Sequence, residues 1–524
     1  MALQPLKTLP RTPLKIKRAL ISVFDKSEIV TLAKELHKHG VELISTGGTA
    51  QKLREADLPV TDVSEITNFQ ECLDGRVKTL HPHIHGGILA RTSHKPDVEE
   101  LEKLGIQPIE LIVTNLYPFS ETVEDPDCTM AKATEFIDIG GPTMIRAAAK
   151  NFAHVTVLTD PHQYEYIIQE LREDEAISYE TRFHLAREAF HQTAEYDIEI
   201  ANYLDAHVDE EEREHIRLSL DKSQELRYGE NPQQQAAVYG YQDMFIDCFH
   251  GKQLSYNNFL DVDGAMRFIG DFEKAGPTVA IFKHTVPCGA ATAGSLEEAW
   301  HKAFATDTVS PFGGIVIVNK ELDLETARAI DEIFTEIIIA PKFSKEALNL
   351  LTKKKNRRLI RQLHSLSGDI TPQLKSIFGG LLIQEPDAEP IKPSCFKTVT
   401  KRQLTKEELN DAVFAWKVVK HVKSNAIVYA KAGQTLGIGT GQTSRVEASE
   451  IAIAKAKQEG LSLDGSIIAS DAFFPFADGV EAAAKAGATV VIQPGGSIRD
   501  EEVIAKADEY GMAMVFTGKR HFKH

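Results

Sequence analysis

Ala19-Leu20-Ile21-Ser22-Val23-Phe24-Asp25-Lys26-Ser27 and Val41-Glu42-Leu43-Ile44-Ser45-Thr46-Gly47-Gly48-Thr49 decide the fold of the first two hundred residues. Each is a short apolar run that ends in small polar residues. Residues 19–23 read as a strand, and Asp25-Lys26-Ser27 opens an amphipathic helix ending near His39. Gly40 stands where a helix-terminating glycine would. Residues 41–45 read as a second strand, 46–49 as a turn and 50–56 as another helix. The alternation returns with a strand at 111–114, a helix at 143–151 and a strand at 155–159. Such alternation predicts an α/β fold with a mainly parallel, doubly wound sheet, whose ligands gather beyond the strands' C-terminal ends.

At 524 residues the chain is too long for one ordinary core and calls for two to four domains. Lys and Arg number 59 against 76 Asp and Glu, a net charge of −17. That balance argues against bulk attraction to nucleic acid or an anionic membrane, so a phosphate site must be a local basic pocket. Hydrophobic residues at 42% and charged residues at 26% exclude disorder and fibres. No stretch has the apolar length of a signal peptide or membrane span. The five cysteines (72, 128, 248, 288, 395) never fall in Cys-x-x-Cys spacing, which leaves a disulfide framework or Cys-based zinc site without support. A reduced, cytoplasmic protein is expected.

A polar helical region runs to about Leu204, followed by the acidic run 209–214, either an interaction surface or a solvated linker. A boundary is placed near 215. Beyond it lie two α/β units of similar grammar. One has a strand at 278–282, Lys283-His284, Pro287, Gly289 and a helix at 295–305. The other has a strand at 466–469, Ser470-Asp471, Pro475 and a helix at 478–486. Residues 392–401 read as the bridge between them, and duplication is one of two open readings.

Ser45-Thr46-Gly47-Gly48-Thr49 joins strand to helix. It is either a tight turn or an anion cradle of backbone N–H groups at a helix N-terminus. Asp25-Lys26, at the end of the neighbouring strand, adds a cation and favours the cradle. Gly75-Arg76-Val77-Lys78-Thr79-Leu80-His81-Pro82 is a compact basic loop that suits a ligand. His81, His83 and His85 share one side if the segment is extended, but lack a carboxylate partner for a metal. Asp138, between Ile137 and Ile139 and before Gly140-Gly141-Pro142, precedes a helix carrying Arg146 and Lys150; it is a satisfied structural acid or part of an acid–base site. Lys283-His284 is the sharpest pair: a cation beside an imidazole suits acyl or formyl transfer, against the alternative of a core histidine capped by lysine. Gly437, Gly439 and Gly441 form a glycine turn that lacks nucleotide-fingerprint spacing and could let a substrate approach the backbone, with Arg445 reaching in. Lys353-Lys354-Lys355 and Arg357-Arg358 are a solvated face or a phosphate contact.

Together with Asn115-Leu116-Tyr117-Pro118-Phe119, Arg227-Tyr228-Gly229-Glu230-Asn231-Pro232, Ser424-Asn425, Ser470-Asp471 and the tail Arg520-His521-Phe522, these stretches resemble the bifunctional purine biosynthesis enzymes, AICAR transformylase/IMP cyclohydrolase. The resemblance covers nearly the whole chain from about residue 18. It implies a flexible extension at 1–17 and a methylglyoxal-synthase-like cyclohydrolase domain at 18–215. It also implies a duplicated cytidine-deaminase-like transformylase part, in units 216–395 and 396–524. The implied chemistry is formyl transfer from 10-formyltetrahydrofolate to the 5-amino group of AICAR, then dehydrative closure of FAICAR to IMP. The folate is a co-substrate, and no tightly bound cofactor or metal is expected: a zinc deaminase needs Pro-Cys-x-x-Cys, and Pro287-Cys288 lacks the second cysteine. A homodimer is implied.

For transformylation the resemblance implies His284 as general base and acid and Lys283 as oxyanion stabiliser. Arg227, Tyr228, Lys355 and Arg520 are implied substrate binders, with Asn258, Asn425, Arg445, Asp471 and Phe522 positioning. For ring closure it implies Lys78, Tyr117, Asp138 and Lys150 in proton transfer and oxyanion stabilisation. Ser22, Lys26, Ser45, Thr46, Gly47, Thr49 and Arg76 would hold the ribose phosphate, with Gly140 and Gly141 at the substrate. Phe24 and Gln233 depart from the pattern, standing where Ser and His are expected. The competing readings are a purine-nucleotide binding protein without turnover and a zinc deaminase.

Overall fold

The computed structural model describes residues 6–73, 75–209 and 214–524, and the chain divides into compact units of residues 1–219 and 220–524. Most of the acidic run 209–214 lies outside the described residues.

In the first unit, strands β1 (Arg18–Ile21), β2 (Glu42–Ser45), β3 (Thr61–Asp62), β4 (Leu111–Val113) and β5 (Thr156–Leu158) form a parallel sheet in the order β3-β2-β1-β4-β5. β1, β4 and β5 are buried along their whole length, as parallel strands covered on both faces must be. The helix Ile29–Lys38 buries Ile29, Leu32, Ala33 and Leu36, the one-face spacing of an amphipathic helix. Gly40, at φ +76°, ends it. Strand order reverses between β1 and β4, so the crevice beyond those two C-terminal ends is where a ligand belongs.

Three local expectations change. The second helix starts at Gly47 rather than residue 50: Thr46 is its extended N-cap, and the chain turns into the first helical turn through a φ of +54° that glycine adopts without strain. The three histidines lie on the helix Pro82–Leu89 and its N-cap, not on an extended segment; proline favours the first helical turn. The segment 12–17 is tied down: Leu14 exchanges backbone hydrogen bonds with Ile177 at 2.9 and 2.8 Å, and Ile16 is buried. The Arg182 guanidinium donates to the Thr12 carbonyl at 3.0 Å.

The second unit begins with a small hairpin of β6 (Lys222–Leu226) and β7 (Ala236–Tyr239). Its first half then supplies β8 (Ile246–His250), β9 (Thr278–Lys283), β10 (Val286–Thr292), β11 (Ile315–Val318), β12 (Ile337–Ala340) and β13 (Arg358–Gln362). An exposed hairpin follows, β14 (Gln373–Ile377) and β15 (Gly380–Gln384). The second half supplies β16 (Lys397–Thr398), β17 (Ile427–Lys431), β18 (Gln434–Gly439), β19 (Ile467–Ser470), β20 (Val490–Gln493) and β21 (Ala513–Phe516).

Twelve of these strands form one sheet, β16-β21-β20-β19-β17-β18-β10-β9-β11-β12-β13-β8. Inward from either edge the order is the same, 16-21-20-19-17-18 against 8-13-12-11-9-10. The strand directions match as well: an antiparallel hairpin, then three mutually parallel strands, then an antiparallel edge strand. Helices intervene at the same places, and the halves meet antiparallel at Ala291 and Gln434. In both halves a strand glycine lies under a helix. A Cβ on Gly289 would stand 2.0 Å from the Ala303 carbonyl oxygen, and one on Gly437 2.2 Å from that of Ala452. The sequence pattern set 278–282 against 466–469, whereas topology pairs β9 with β17 and β11 with β19. Both are apolar strands ending in a polar pair, and only pairing partners distinguish them. Residues 397–398 of the expected bridge form an edge strand.

Beneath the sheet, the imidazole of His421 lies 2.7 Å from Asp271, whose carboxylate also meets Lys420 at 3.0 Å; Lys417 donates to the Asp271 carbonyl at 2.6 Å. Lys523, its own pKa lowered by burial, faces the same cluster. Burial pushes His421 down to about 4, against Asp271. As pH falls from about 6.5 to 4, the unfolded chain therefore takes up a proton that the folded chain refuses, and stability is lost across that window. His421→Gln is expected to flatten the fall of Tm between pH 7 and 4.5; an unchanged slope contradicts this assignment.

Candidate active sites

A cavity of about 620 Å³ opens at the switch point of the first unit. Ser22, Phe24 and Lys26 line it from the loop after β1, and Asn115 and Tyr117 from the loop after β4. Thr46, Gly48 and Thr49 add the N-terminus of the helix Gly47–Arg54, and Gly140 and Gly141 that of the helix Gly140–Lys150. Two helix N-termini with Lys26, Arg76 and Lys78 make one electropositive rim, suited to a phosphate. Space for the Lys78 ammonium comes from glycines: it lies 3.6 Å from where a Cβ on Gly47 would stand and 3.4 Å from one on Gly75.

Asp138 faces this rim. Gly141 N–H donates to its Oδ1 at 2.9 Å, and its own N–H donates to the Tyr196 hydroxyl at 2.8 Å. Burial raises its pKa, opposed by the N–H groups of Gly141, Tyr117 and Gly140 and by the charge of Lys78. Tyr117 is raised too, by burial and then by Asp138. A Cβ on Gly141 would come within 2.6 Å of Asp138 Oδ2, so any larger residue there would push the carboxylate out of place. The Phe24 ring packs edge-on against Tyr117, centroids 5.5 Å apart, and forms an aromatic wall where the sequence pattern expected a hydroxyl.

Not every expected residue joins this cavity. Ser45 is fully buried and donates to the Ile21 carbonyl at 2.6 Å, so it holds β1 to β2. Thr49 lines the cavity but spends its hydroxyl on the backbone of Val23, at 3.0 and 3.2 Å. Lys150 lies at the far end of its helix, about 15 Å from Gly140 by helix rise. There it lines a separate, largely apolar cavity with His85, Leu89, Arg146, Phe183 and Phe190. Asn115, whose residue type alone carries no expected role, is a further contributor to this rim. Its Oδ1 accepts from the N–H groups of Phe24 at 2.6 Å and Asp25 at 3.0 Å, which shapes the β1 loop.

In the second unit the remaining residues gather along one end of the sheet. Lys283, His284, Thr285 and Val286 make a two-residue hairpin between β9 and β10, with φ +55° at His284 and +64° at Thr285. His284 is exposed, not a core histidine. Extending the β10–β18 register from Ala291 and Gln434 puts this hairpin beside the Gly439 end of β18. Asn425 precedes β17 and Asp471 follows β19 at that same end. The β11, β12 and β13 starts lie there as well, bringing Glu336 and Lys355. The Arg227–Tyr228 loop reaches it through Asn257, which donates to the Glu230 carbonyl at 3.3 Å. The tail reaches it through His521 N–H, which donates to the Asp471 carbonyl at 2.9 Å and places Arg520 and Phe522.

Several of these side chains are already engaged. Asn258 closes a capping box with Ser255 and donates to Glu336 at 3.3 Å. Arg445 is buried, pairs with Asp471, and donates to Ser470 at 2.8 Å and Asn425 at 2.9 Å. That network braces the sheet end from within. Gly439 is packed on a helix, where a Cβ would meet the Ala448 carbonyl, so it is not a substrate turn; Gly441 alone of the three is open. Lys354 and Arg357 pair with Asp331 and Arg358 with Glu336, which leaves exposed Lys353 and Lys355 as the members of that basic run without an ion pair among the described residues. Arg227 stacks over Tyr228 at 4.6 Å, and Arg520 over Phe522 at 4.7 Å, each guanidinium exposed. Gln233 is exposed. The histidine series assembles no metal site: His83 meets the Ile66 carbonyl at 3.0 Å, and among the described residues no group of three metal-ligating side chains converges.

A family model described as AICARFT/IMPCHase bienzyme matches residues 148–455, and one for an MGS-like domain matches residues 28–143. The bifunctional purine biosynthesis protein PurH of Chloroflexus aurantiacus is 54% identical over 511 residues, covering 97% of this chain and 99% of the relative. PurH of Chlorobium phaeobacteroides (strain BS1) is 52% identical over 521 residues, with the same coverage. PurH of Bacillus cytotoxicus is 50% identical over 514 residues, covering 97% of this chain and all of the relative.

Proposed function

The chain belongs to the AICARFT/IMPCHase bienzyme family, and from that premise we propose how its two activities divide between its two units. It is a formyltransferase and a cyclohydrolase of purine biosynthesis. Residues 18–215 carry ring closure in an MGS-like domain, and residues 216–395 and 396–524 carry formyl transfer in two cytidine-deaminase-like units. The strand-for-strand repeat supports that duplication. The observation that carries the division is the placement of a half-buried carboxylate among cations in one compact unit and a strained histidine turn in the other.

In formyl transfer the amine of AICAR attacks the formyl carbon of 10-formyltetrahydrofolate. His284 takes the amine proton and returns it to N10 as the C–N10 bond breaks, releasing tetrahydrofolate. Lys283 faces the oxyanion, and Arg227, Lys355 and Arg520 supply cations for the substrate phosphate. In ring closure the formyl group already sits beside the carboxamide, so proximity supplies much of the rate. Asp138 takes the carboxamide proton, Lys78 and Tyr117 stabilise the developing oxygen charge, and water leaves. The phosphate lies on the N-terminus of the helix Gly47–Arg54, near Ser22, Lys26 and Arg76. The protein works in the cytoplasm with small-molecule substrates and no tightly held cofactor; among the described residues no helix is long and apolar enough to cross a membrane.

Lys150 reaches a Lys78–Asp138 site only from a second copy of the chain, which supports a homodimer with shared cyclohydrolase sites. Lys78→Ala and Lys150→Ala should each lack cyclohydrolase activity, and subunits mixed between them should regain it, since one site of each mixed dimer is intact. Activity that stays absent in verified mixed dimers contradicts a site shared between subunits.

A further inference from the structure

The two halves of the second unit each build the same hairpin, and only one carries chemistry. In the first half the turn is Lys283-His284-Thr285-Val286, and in the second it is Lys431-Ala432-Gly433-Gln434. All four central residues have positive φ: +55° and +64° in the first, +51° and +67° in the second. That backbone suits a two-residue hairpin and is easy for Gly433. For His284, and more so for β-branched Thr285, it is strained. Both lysines are held alike. Lys283 donates to the Phe312 carbonyl at 2.9 Å and Lys431 to that of Asp464 at 2.6 Å, each acceptor three residues before the next strand. The lysine is thus a shared device of the hairpin, and the histidine is what the first half adds.

A second shared device faces each turn. In the second half, Asp411 takes both turn donors, Ala432 N–H on Oδ2 and Gly433 N–H on Oδ1, each at 2.8 Å. Asp411 stands six residues after the helix cap Thr405. In the first half the residue six after the cap Ser255 is Asp261, and its Oδ1 accepts from Thr285 N–H at 2.5 Å. The backbone and charge of His284 also act on this carboxylate, which burial otherwise pushes toward protonation. Glu336 adds repulsion, itself offset by Arg358.

We propose that Asp261 is a positioning residue for formyl transfer: its carboxylate clamps the strained His284–Thr285 turn from behind and so fixes the direction of the imidazole. The clamp acts through the backbone and leaves the histidine side chain available to substrate. This rests on the assignment of formyl transfer to His284.

Asp261→Asn, which keeps the side chain's shape and exchanges one acceptor for a donor facing an N–H, tests it in the full-length protein. The expected result is a fall in transformylase kcat of about 10²-fold, the cost of a misplaced reacting group, with KM for AICAR changed less than about threefold. Thr285→Gly in the Asp261→Asn background should recover at least about tenfold, because glycine holds this turn without a clamp. Asp411→Asn, the same lesion at the turn without histidine, should leave kcat within about threefold. A normal kcat in Asp261→Asn overturns the proposal, as does equal loss in Asp261→Asn and Asp411→Asn, or no recovery with Thr285→Gly in a protein that still binds AICAR. His284→Ala run alongside separates the two claims: full activity there removes the underlying assignment, whereas its loss beside an active Asp261→Asn removes only the clamp.

Discussion

Replacing His284 with Ala is expected to lower formyl transfer about 10²–10⁴-fold, the usual worth of a positioned acid–base group, while supplied FAICAR still closes to IMP. The acceptor makes the loss large: the 5-amino nitrogen of AICAR is a weak nucleophile, its lone pair drawn into the imidazole and carboxamide, so its proton must leave as the C–N bond forms. The fold should tolerate the change, since His284 is exposed and the equivalent position of the second half is already Ala432. Tetrahydrofolate release and FAICAR closure, followed separately, check it. Loss of both activities in a protein of normal Tm would contradict two independent sites.

Replacing Asp138 with Asn should do the converse, lowering ring closure about 10²–10⁴-fold with formyl transfer intact. The amide keeps an oxygen for Gly141 N–H, so the helix N-terminus is preserved while the base is removed. Burial raises the Asp138 pKa, which also fixes the sign of a pH effect. As pH falls the carboxyl takes its proton at a higher pH than the ordinary value of about 3.9, so cyclisation loses its base there first. Wild-type closure should decline on that limb, and the residual activity of Asp138→Asn should lack it. The same acid limb in the variant would assign the titration to another group.

The parallel sheet of the first unit was legible because buried parallel strands and amphipathic helices leave distinct periodicities, as in β1 and in Ile29–Lys38. Its loop residues were legible by chemical type: Lys26, Arg76, Lys78, Tyr117 and Asp138 do line one cavity. Residue type does not reveal direction. Ser45 and Arg445 look like ligand contacts in sequence, yet each turns inward to brace a strand end. Lys150 carries a cation on the expected helix, and only the helix's length shows how far it stands from Asp138. The glycines at 437 and 439 read as a flexible turn because close packing under a helix leaves the same sequence trace. The repeat of strand order was visible as grammar but set one strand out of place, since matching β9 with β17 requires the strand order. Asp261 carried a signal after all, an aspartate six residues past a Ser or Thr cap in both halves. It becomes meaningful only when both turns are seen to lean on it.

One measurement tests the central claim most directly: purified protein with AICAR and 10-formyltetrahydrofolate, tetrahydrofolate and IMP quantified separately. Both products, with tetrahydrofolate formed at least as fast as IMP, are the expected result. AICAR bound with neither product formed would contradict the account and leave a purine-nucleotide binding protein in its place.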